Sequence, residues 1–325
     1  MVIRFINHRN TQIVIGTLIL LSALLCIFTP KYFVFKFGSR FAVQIMSGYL
    51  FVGLMCLLLR LPKVMFTCFA ACAMLCMALK YSADTDLKHA ARTDGEVIKI
   101  AQFNVADFSD GYEKTISEIL STNADFISIQ EVTPDWGDSL KIGLQKSYPY
   151  KKIISHSGLY GLAVFSKYEL SNLDISYGVE NIPNIIGSIN IDKQPIYFIS
   201  SYISRPFYSK DMDMLSKRLQ EIGDNARAIN EINAPIFTLG DFNAPPWWDE
   251  IQRFQDYSGL EDSRRSCSHG LLDTPEDYIF YSGHFKCVDF QTVSSVSTRH
   301  LGIQGTYQFN TNPDAPKNIK TSQIF

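Results

Sequence analysis

Three uncharged apolar stretches in the first 80 residues, Gln12 to Phe28, Phe41 to Leu59 and Val64 to Leu79, restrict this chain more than any other feature of its sequence. Each is near the roughly 17 to 25 apolar residues that one bilayer crossing needs. A buried helix of a soluble protein keeps a polar face, which these lack, and a cleaved signal peptide would account for the first stretch alone. The stretches are therefore expected to be three transmembrane helices of a multi-pass cell-membrane anchor, residues 1–80. A polar linker, 81–96, and a separate domain, 97–325, are expected to follow.

The cations that flank the helices are nearly balanced. Arg4 and Arg9 precede the first, Lys31, Lys36 and Arg40 follow it, and Arg60 and Lys63 share the tight turn before the third. The compact Arg60-Leu61-Pro62-Lys63 turn, set against a first loop rich in interfacial aromatics (Tyr32, Phe33, Phe35, Phe37), decides the orientation. It puts the N-terminus inside and the domain on the extracytoplasmic, periplasmic side.

From Val97 onward the chain holds 20 Lys and Arg against 28 Asp and Glu, a balance of −8. Non-specific affinity for nucleic acid comes largely from Lys and Arg, so an acidic domain is a poor candidate for it. Five cysteines (Cys26, Cys56, Cys68, Cys72, Cys76) fall in the apolar part, where a thiol is most simply a small hydrophobe. Cys267 and Cys287 are left to the domain, and outside the cytoplasm they could pair.

The domain opens with the strand Val97 to Asn104, a short helical pattern (Ile116, Ile119, Leu120) and a second strand, Asp125 to Glu131. This is the rhythm of an α/β fold. Further strands are expected over Gly161 to Ser166, Pro195 to Tyr202, Ile236 to Leu239, Asp277 to Phe280, Phe285 to Gln291 and Gly305 to Phe309. A helix whose apolar face carries Leu215, Leu219, Ile222, Ala226 and Ile229 leads into the run Ile236-Phe237-Thr238-Leu239-Gly240-Asp241-Phe242-Asn243. The turn residues at its end expose Asp241 and Asn243, a pair that can bind Mg²⁺ or phosphate or can simply close the strand as an Asx turn. Asn104, Glu131, Tyr202, Asp277 and His300 likewise sit at the ends of strands or near them. Singly, each has a bland reading as a turn, a solvated strand end or a structural histidine. Together they are what a metal-dependent phosphoesterase requires: carboxylate and amide for a hard cation, and an acid to orient a histidine that takes a proton from water.

In order, Phe103-Asn104-Val105, Ile129-Gln130-Glu131-Val132, Gly240-Asp241-Phe242-Asn243, Asp277-Tyr278-Ile279-Phe280 and Arg299-His300 resemble the successive motifs of the endonuclease/exonuclease/phosphatase superfamily, the fold of DNase I and the AP endonucleases. The resemblance spans Val97 to about Phe309, and the membrane-tethered layout resembles a bacterial branch of that superfamily. It implies a two-sheet, four-layer α/β sandwich that hydrolyses a phosphate ester with Mg²⁺ or Mn²⁺. Carried over by position, Glu131 is the principal metal ligand with Asn104 as its helper. Asp241 orients or deprotonates the attacking water, Asn243 contacts the phosphate, and Asp277 and His300 form the acid–histidine pair.

Two positions depart from the pattern. Tyr202 stands where most members have a histidine, although the AP-endonuclease branch also has tyrosine there, which leaves a phenol to touch phosphate. Arg299 stands where the family has Asp before its last histidine. The superfamily includes nucleases, inositol-phosphate phosphatases and sphingomyelinases, so nucleic acid, nucleotide and lipid head group all remain open as substrate. Pro245, Pro246, Trp247 and Trp248 form either an aromatic lip for such a group or a packed turn. The alternative to an enzyme is a catalytically inactive, membrane-tethered binding module, and Arg299 separates the two. If its guanidinium replaces part of a metal's charge, Arg299→Ala lowers turnover about ten- to a thousandfold. At a decayed site Arg299→Ala changes nothing, and an Arg299→Asp protein faster than the parent would refute the substitute-cation role.

Overall fold

The side-chain alternation of the strands divides the part of the chain from Val97 onward into layers. The computed structural model describes residues 9–28, 33–82, 88–106, 111–191, 194–265, 274–294 and 301–310. Four helices come first: α1 (Arg9–Ile27), α2 (Phe33–Arg40), α3 (Ala42–Leu58) and α4 (Pro62–Ser82). Two of them, over Asn10–Ile27 and Pro62–Ser82, are long and apolar enough to cross a membrane, and α2 with α3 makes a third if their 69° bend lies within one span. The aromatic-rich first loop thus holds a helix of its own. Between the long helices Cys56 and Cys68 are buried as small apolar packing groups, and Gly53 lets the ring of Phe69 approach to where a Cβ would collide with it. The outer faces carry apolar side chains such as Leu58, Phe51 and Phe66, a surface that water does not tolerate over such an area.

The remainder forms two mixed six-stranded sheets. The first contains β1 (Val97–Asn104), β2 (Phe126–Gln130), β3 (Tyr150–Ile154), β4 (Leu162–Ser166), β11 (Phe285–Val293) and β12 (Gly302–Phe309), in the order β11-β12-β1-β2-β4-β3. The second contains β5 (Leu170–Tyr177), β6 (Pro183–Ile191), β7 (Gln194–Tyr202), β8 (Ile236–Asp241), β9 (Glu261–Asp262) and β10 (Asp277–Tyr281), in the order β5-β6-β7-β8-β10-β9. Each sheet has one parallel pair at its centre, β1 with β2 and β7 with β8, and each pair is joined by a helical crossover. The helices are α5 (Tyr112–Ser121) and α6 (Pro134–Leu144) against the first sheet, and α7 (Ser209–Glu231) and α8 (Asp249–Ser258) against the second.

Along β2, Ile127 and Ile129 face the helices, whereas Phe126, Ser128 and Gln130 face the other sheet. The same holds along β1, where Ala101 and Phe103 pack outward and Ile98, Ile100 and Gln102 inward. The layer between the sheets is therefore apolar at one end, with the rings of Phe126 and Phe198 4.5 Å apart, and turns polar toward the C-terminal ends of the parallel pairs. There Ser200 meets Ser128 at 2.7 Å, Gln130 donates to Ser128 at 2.8 Å, and Gln102 donates to both Gln130 and Asp277. This buried chain of hydrogen bonds fastens one sheet to the other directly below the candidate site.

Two features were invisible in the sequence pattern. The second half of the expected linker lies on the domain, where Thr93 N donates to Gln308 Oε1 and Ala90 N to Cys287 O. Arg218, on the apolar face of α7, is fully buried. Its guanidinium donates to Tyr202 O, Pro183 O and Asn184 Oδ1, and so fixes the end of β7 that presents Tyr202. Replacing it strands several buried acceptors, so Arg218→Met is expected to cost about 3 kcal/mol of stability. An unchanged thermal unfolding midpoint would show that the guanidinium is dispensable.

Candidate active site

Where the two central parallel pairs end, Asn104, Glu131, Tyr202 and Asp241 converge. Asn104 closes β1 and donates through Nδ2 to Glu131 Oε1 at 2.9 Å and to Asp241 Oδ2 at 3.1 Å, while its Oδ1 accepts from Ala106 N. One amide nitrogen thus bridges a carboxylate from each sheet. Glu131 follows β2 with φ 60°, in the left-handed region that a side chain other than Gly, Asn or Asp rarely occupies. Tyr202 is buried at the end of β7 and hydrogen-bonds Glu131. Burial and then the charges of Glu131 and Asp241 push its phenol far above the usual range, so it stays a proton donor.

Asp241 ends β8 directly across from Asp277 at the start of β10. Burial, then Asp277 and Glu276, raise its carboxyl well above the ordinary carboxylate range, opposed by the Asn243 backbone and the Asn104 amide. Asp277 Oδ1 accepts from Gln102 at 2.7 Å. Asn243 N donates to Asp241 Oδ1 at 3.0 Å, the Asx turn that was one of the two readings of this pair. The Asn243 side chain donates to Ile203 O and accepts from Arg205 Nε, both at 2.9 Å. Gly240 is forced by packing, because a Cβ there would lie 2.0 Å from the carbonyl oxygen of Ser201 on the neighbouring strand.

Sequence reasoning overlooked Gln102, Arg205 and Glu276. Gln102 lies two residues before Asn104 on the same strand face, and alternation would have found it. Glu276, beside Asp277, is buried between Arg40 and Arg205. Burial raises its carboxyl to about 7 against the pull of both arginines, and Asp277 adds to the rise. Trp247 and Trp248 are no open lip, since their indole nitrogens donate to Ser39 O at 2.7 Å and Ser39 Oγ at 3.0 Å. Beside Tyr202, the ring of Tyr160 opens on a cavity of about 370 Å³ that is also lined by His156, Tyr177 and Glu180. Arg299, His300 and Cys267 lie outside the described residues.

Among the described residues no three His, Cys, Asp or Glu side chains group closely enough to hold an ion by themselves. The donor set still suits a hard divalent cation. The Glu131 and Asp241 oxygens share a single bridging amide, and Mg²⁺ is commonly held by one or two carboxylates with water completing its shell.

The profile of the Endonuclease/Exonuclease/phosphatase family matches residues 101–300. Among solved structures, an endonuclease/exonuclease/phosphatase from Beutenbergia cavernae superposes with TM-score 0.54 at 15% identity, covering 66% of this chain and 72% of that one. Caenorhabditis elegans TDP2 gives 0.53 at 16% identity over 67% and 77%, and the human Nocturnin catalytic domain gives 0.52 at 17% over 66% and 95%. These likenesses are of fold. No curated protein matches the sequence.

The left-handed backbone at Glu131 costs about 1 to 2 kcal/mol, and Asn tolerates that conformation better. Glu131→Asn and Glu131→Ala both lose the carboxylate's hydrogen bonds to Asn104 and Tyr202, so Glu131→Asn is expected to melt above Glu131→Ala. Equal melting temperatures for the two variants would mean that the backbone at Glu131 carries no strain.

Proposed function

Because the chain belongs to the endonuclease/exonuclease/phosphatase family, we propose that it is a membrane-anchored phosphoesterase that cleaves a phosphodiester or phosphomonoester by attack of water. The observation that carries this reading is the Asn104 amide shared by Glu131 and Asp241 at the polar end of the inter-sheet layer. Glu131 and Asn104 would hold Mg²⁺ or Mn²⁺, which supplies positive charge to the phosphoryl oxygens. Asp241 orients the attacking water and draws on its proton. His300, which the family resemblance pairs with Asp277, would serve as the acid–base partner. The Tyr202 phenol, kept protonated by burial, donates to a phosphate oxygen, and Asn243 and Arg299 complete the phosphate contacts. In the step itself the water oxygen bonds phosphorus, the P–O ester bond breaks, and the departing oxygen takes up a proton. The cavity beside Tyr160 supports a substrate with a group beyond the phosphate, whether a nucleotide, a nucleic-acid end or a lipid head group.

The orientation proposed is domain outside, N-terminus inside. Lys36 is paired with Asp249 and Glu250, and Arg40 with Glu276, so two cations of the first loop are neutralised by the domain. Arg60 and Lys63 then dominate the opposite side, which supports its retention in the cytoplasm.

Purified full-length protein should hydrolyse at least one member of a phosphodiester and phosphomonoester panel with Mg²⁺ and lose that activity with EDTA and in Glu131→Ala. Asp277→Asn should slow turnover and leave metal affinity nearly unchanged. A folded protein that turns over no ester would favour the inactive binding module. Protease added to spheroplasts should remove the domain, and protection until the inner membrane is breached would reverse the orientation.

A further inference from the structure

The helix α2 carries Lys36, Ser39 and Arg40 at i, i+3 and i+4, one face of a helix, and all three contact the catalytic domain. Lys36 Nζ lies 2.9 Å from Asp249 Oδ1 and 2.8 Å from Glu250 Oε2, in the first turn of α8. Ser39 accepts both indole N–H groups from Trp247 and Trp248, and Arg40 is paired with Glu276. The partners of Ser39 and Arg40 adjoin the site. The two tryptophans follow the Asp241–Asn243 turn, and Glu276 precedes Asp277 and accepts from Phe242 N through its carbonyl. On the outward face Val34 and Phe37 are exposed, and Phe41 follows them, so the helix is apolar away from the domain and polar toward it. That is the pattern of a helix lying in the membrane interface.

The charges give the contact a role. Glu276 is buried beside Asp277 and near Asp241, and among the described residues its Oε1 has no hydrogen-bond partner. Arg205 stands 3.7 Å from Glu276 Oε2, half exposed, with its Nε committed to Asn243, so Arg40 supplies the close countercharge. Without it, the Glu276 carboxyl rises further, and at a pH high enough to ionise it an uncompensated carboxylate would sit where an anionic ester must approach.

We propose that α2 is a wall of the active site and that Arg40 is a positioning residue, holding Glu276 and cancelling its charge so that a phosphate group can reach Asp241 and Asp277. This rests on the phosphoesterase reading above. The test uses the full chain in phosphatidylcholine nanodiscs with Mg²⁺ and is read from pH 7 to pH 9.5, the effects below being those expected at the alkaline end, where Glu276 is ionised. It measures hydrolysis of bis(4-nitrophenyl) phosphate and, separately, calorimetric binding of inorganic phosphate. Arg40→Ala should weaken phosphate binding and raise KM about tenfold, with a smaller change in kcat and Mg²⁺ affinity equal or tighter. Arg40→Lys should recover most of the loss, and so should Arg40→Ala combined with Glu276→Gln, which removes the charge that Arg40 had cancelled. Phosphate affinity unaltered in Arg40→Ala, or a double variant no better than the single, would overturn the proposal. A parent that binds phosphate but turns over no ester counts against the phosphoesterase reading, and the calorimetric series still decides the role of Arg40. A parent that binds no phosphate overturns both.

Discussion

Carboxylates are crowded into the polar end of an otherwise apolar layer, and the rest of the domain is arranged around that crowding. Asp241 and Asp277 face each other across an antiparallel pair, Glu276 adjoins them, and Glu131 approaches from the other sheet. Buried carboxylates lose hydration and, after that, repel one another, which is why the Asp241 and Glu276 carboxyls are both displaced upward. The hydrogen bonds of Asn104 and Gln102 hold the two sheets at a separation where this crowding persists. The Phe126–Phe198 end of the same layer supplies the apolar contact that keeps them there.

The strands that line the site were legible because they are central. β1, β2, β7 and β8 are buried on both faces and read as apolar runs ending in polar residues. The edges were harder to read. β5 has no buried position and a register shift between Ser171 and Asp174, so no apolar alternation marks it, and β9 is two residues long. Of the site, Asn104, Glu131, Tyr202 and Asp241 were legible in the sequence and do converge. Glu276 was not, because its importance comes from burial against a segment more than 230 positions away. Arg218 was hidden for a related reason, since a buried cation on an apolar helix face looks like a solvated one until its carbonyl partners are known.

The helix α2 shows how a short element can belong to two environments. Eight residues do not make a stable helix in water, and its two faces need different partners. The domain satisfies Lys36, Ser39 and Arg40. The apolar helices and their surroundings remain for the aromatic side.

The connection at Ser82 has a mechanical consequence. Its carbonyl accepts from Gln252 Nε2 at 3.1 Å, and the chain rejoins described structure at Lys88 and lies against β11 and β12 by Ala90 and Thr93. Six peptide steps span at most about 20 Å, and contacts at both ends shorten the usable part. The domain is therefore seated on its helices and does not swing from them on a tether, so its cleft keeps one height and one tilt relative to the apolar belt. For the phosphoesterase proposed above, a scissile bond would be accepted or refused by its own elevation above that belt, and a longer leash would widen the range of elevations served at the expense of the seat that α2 provides.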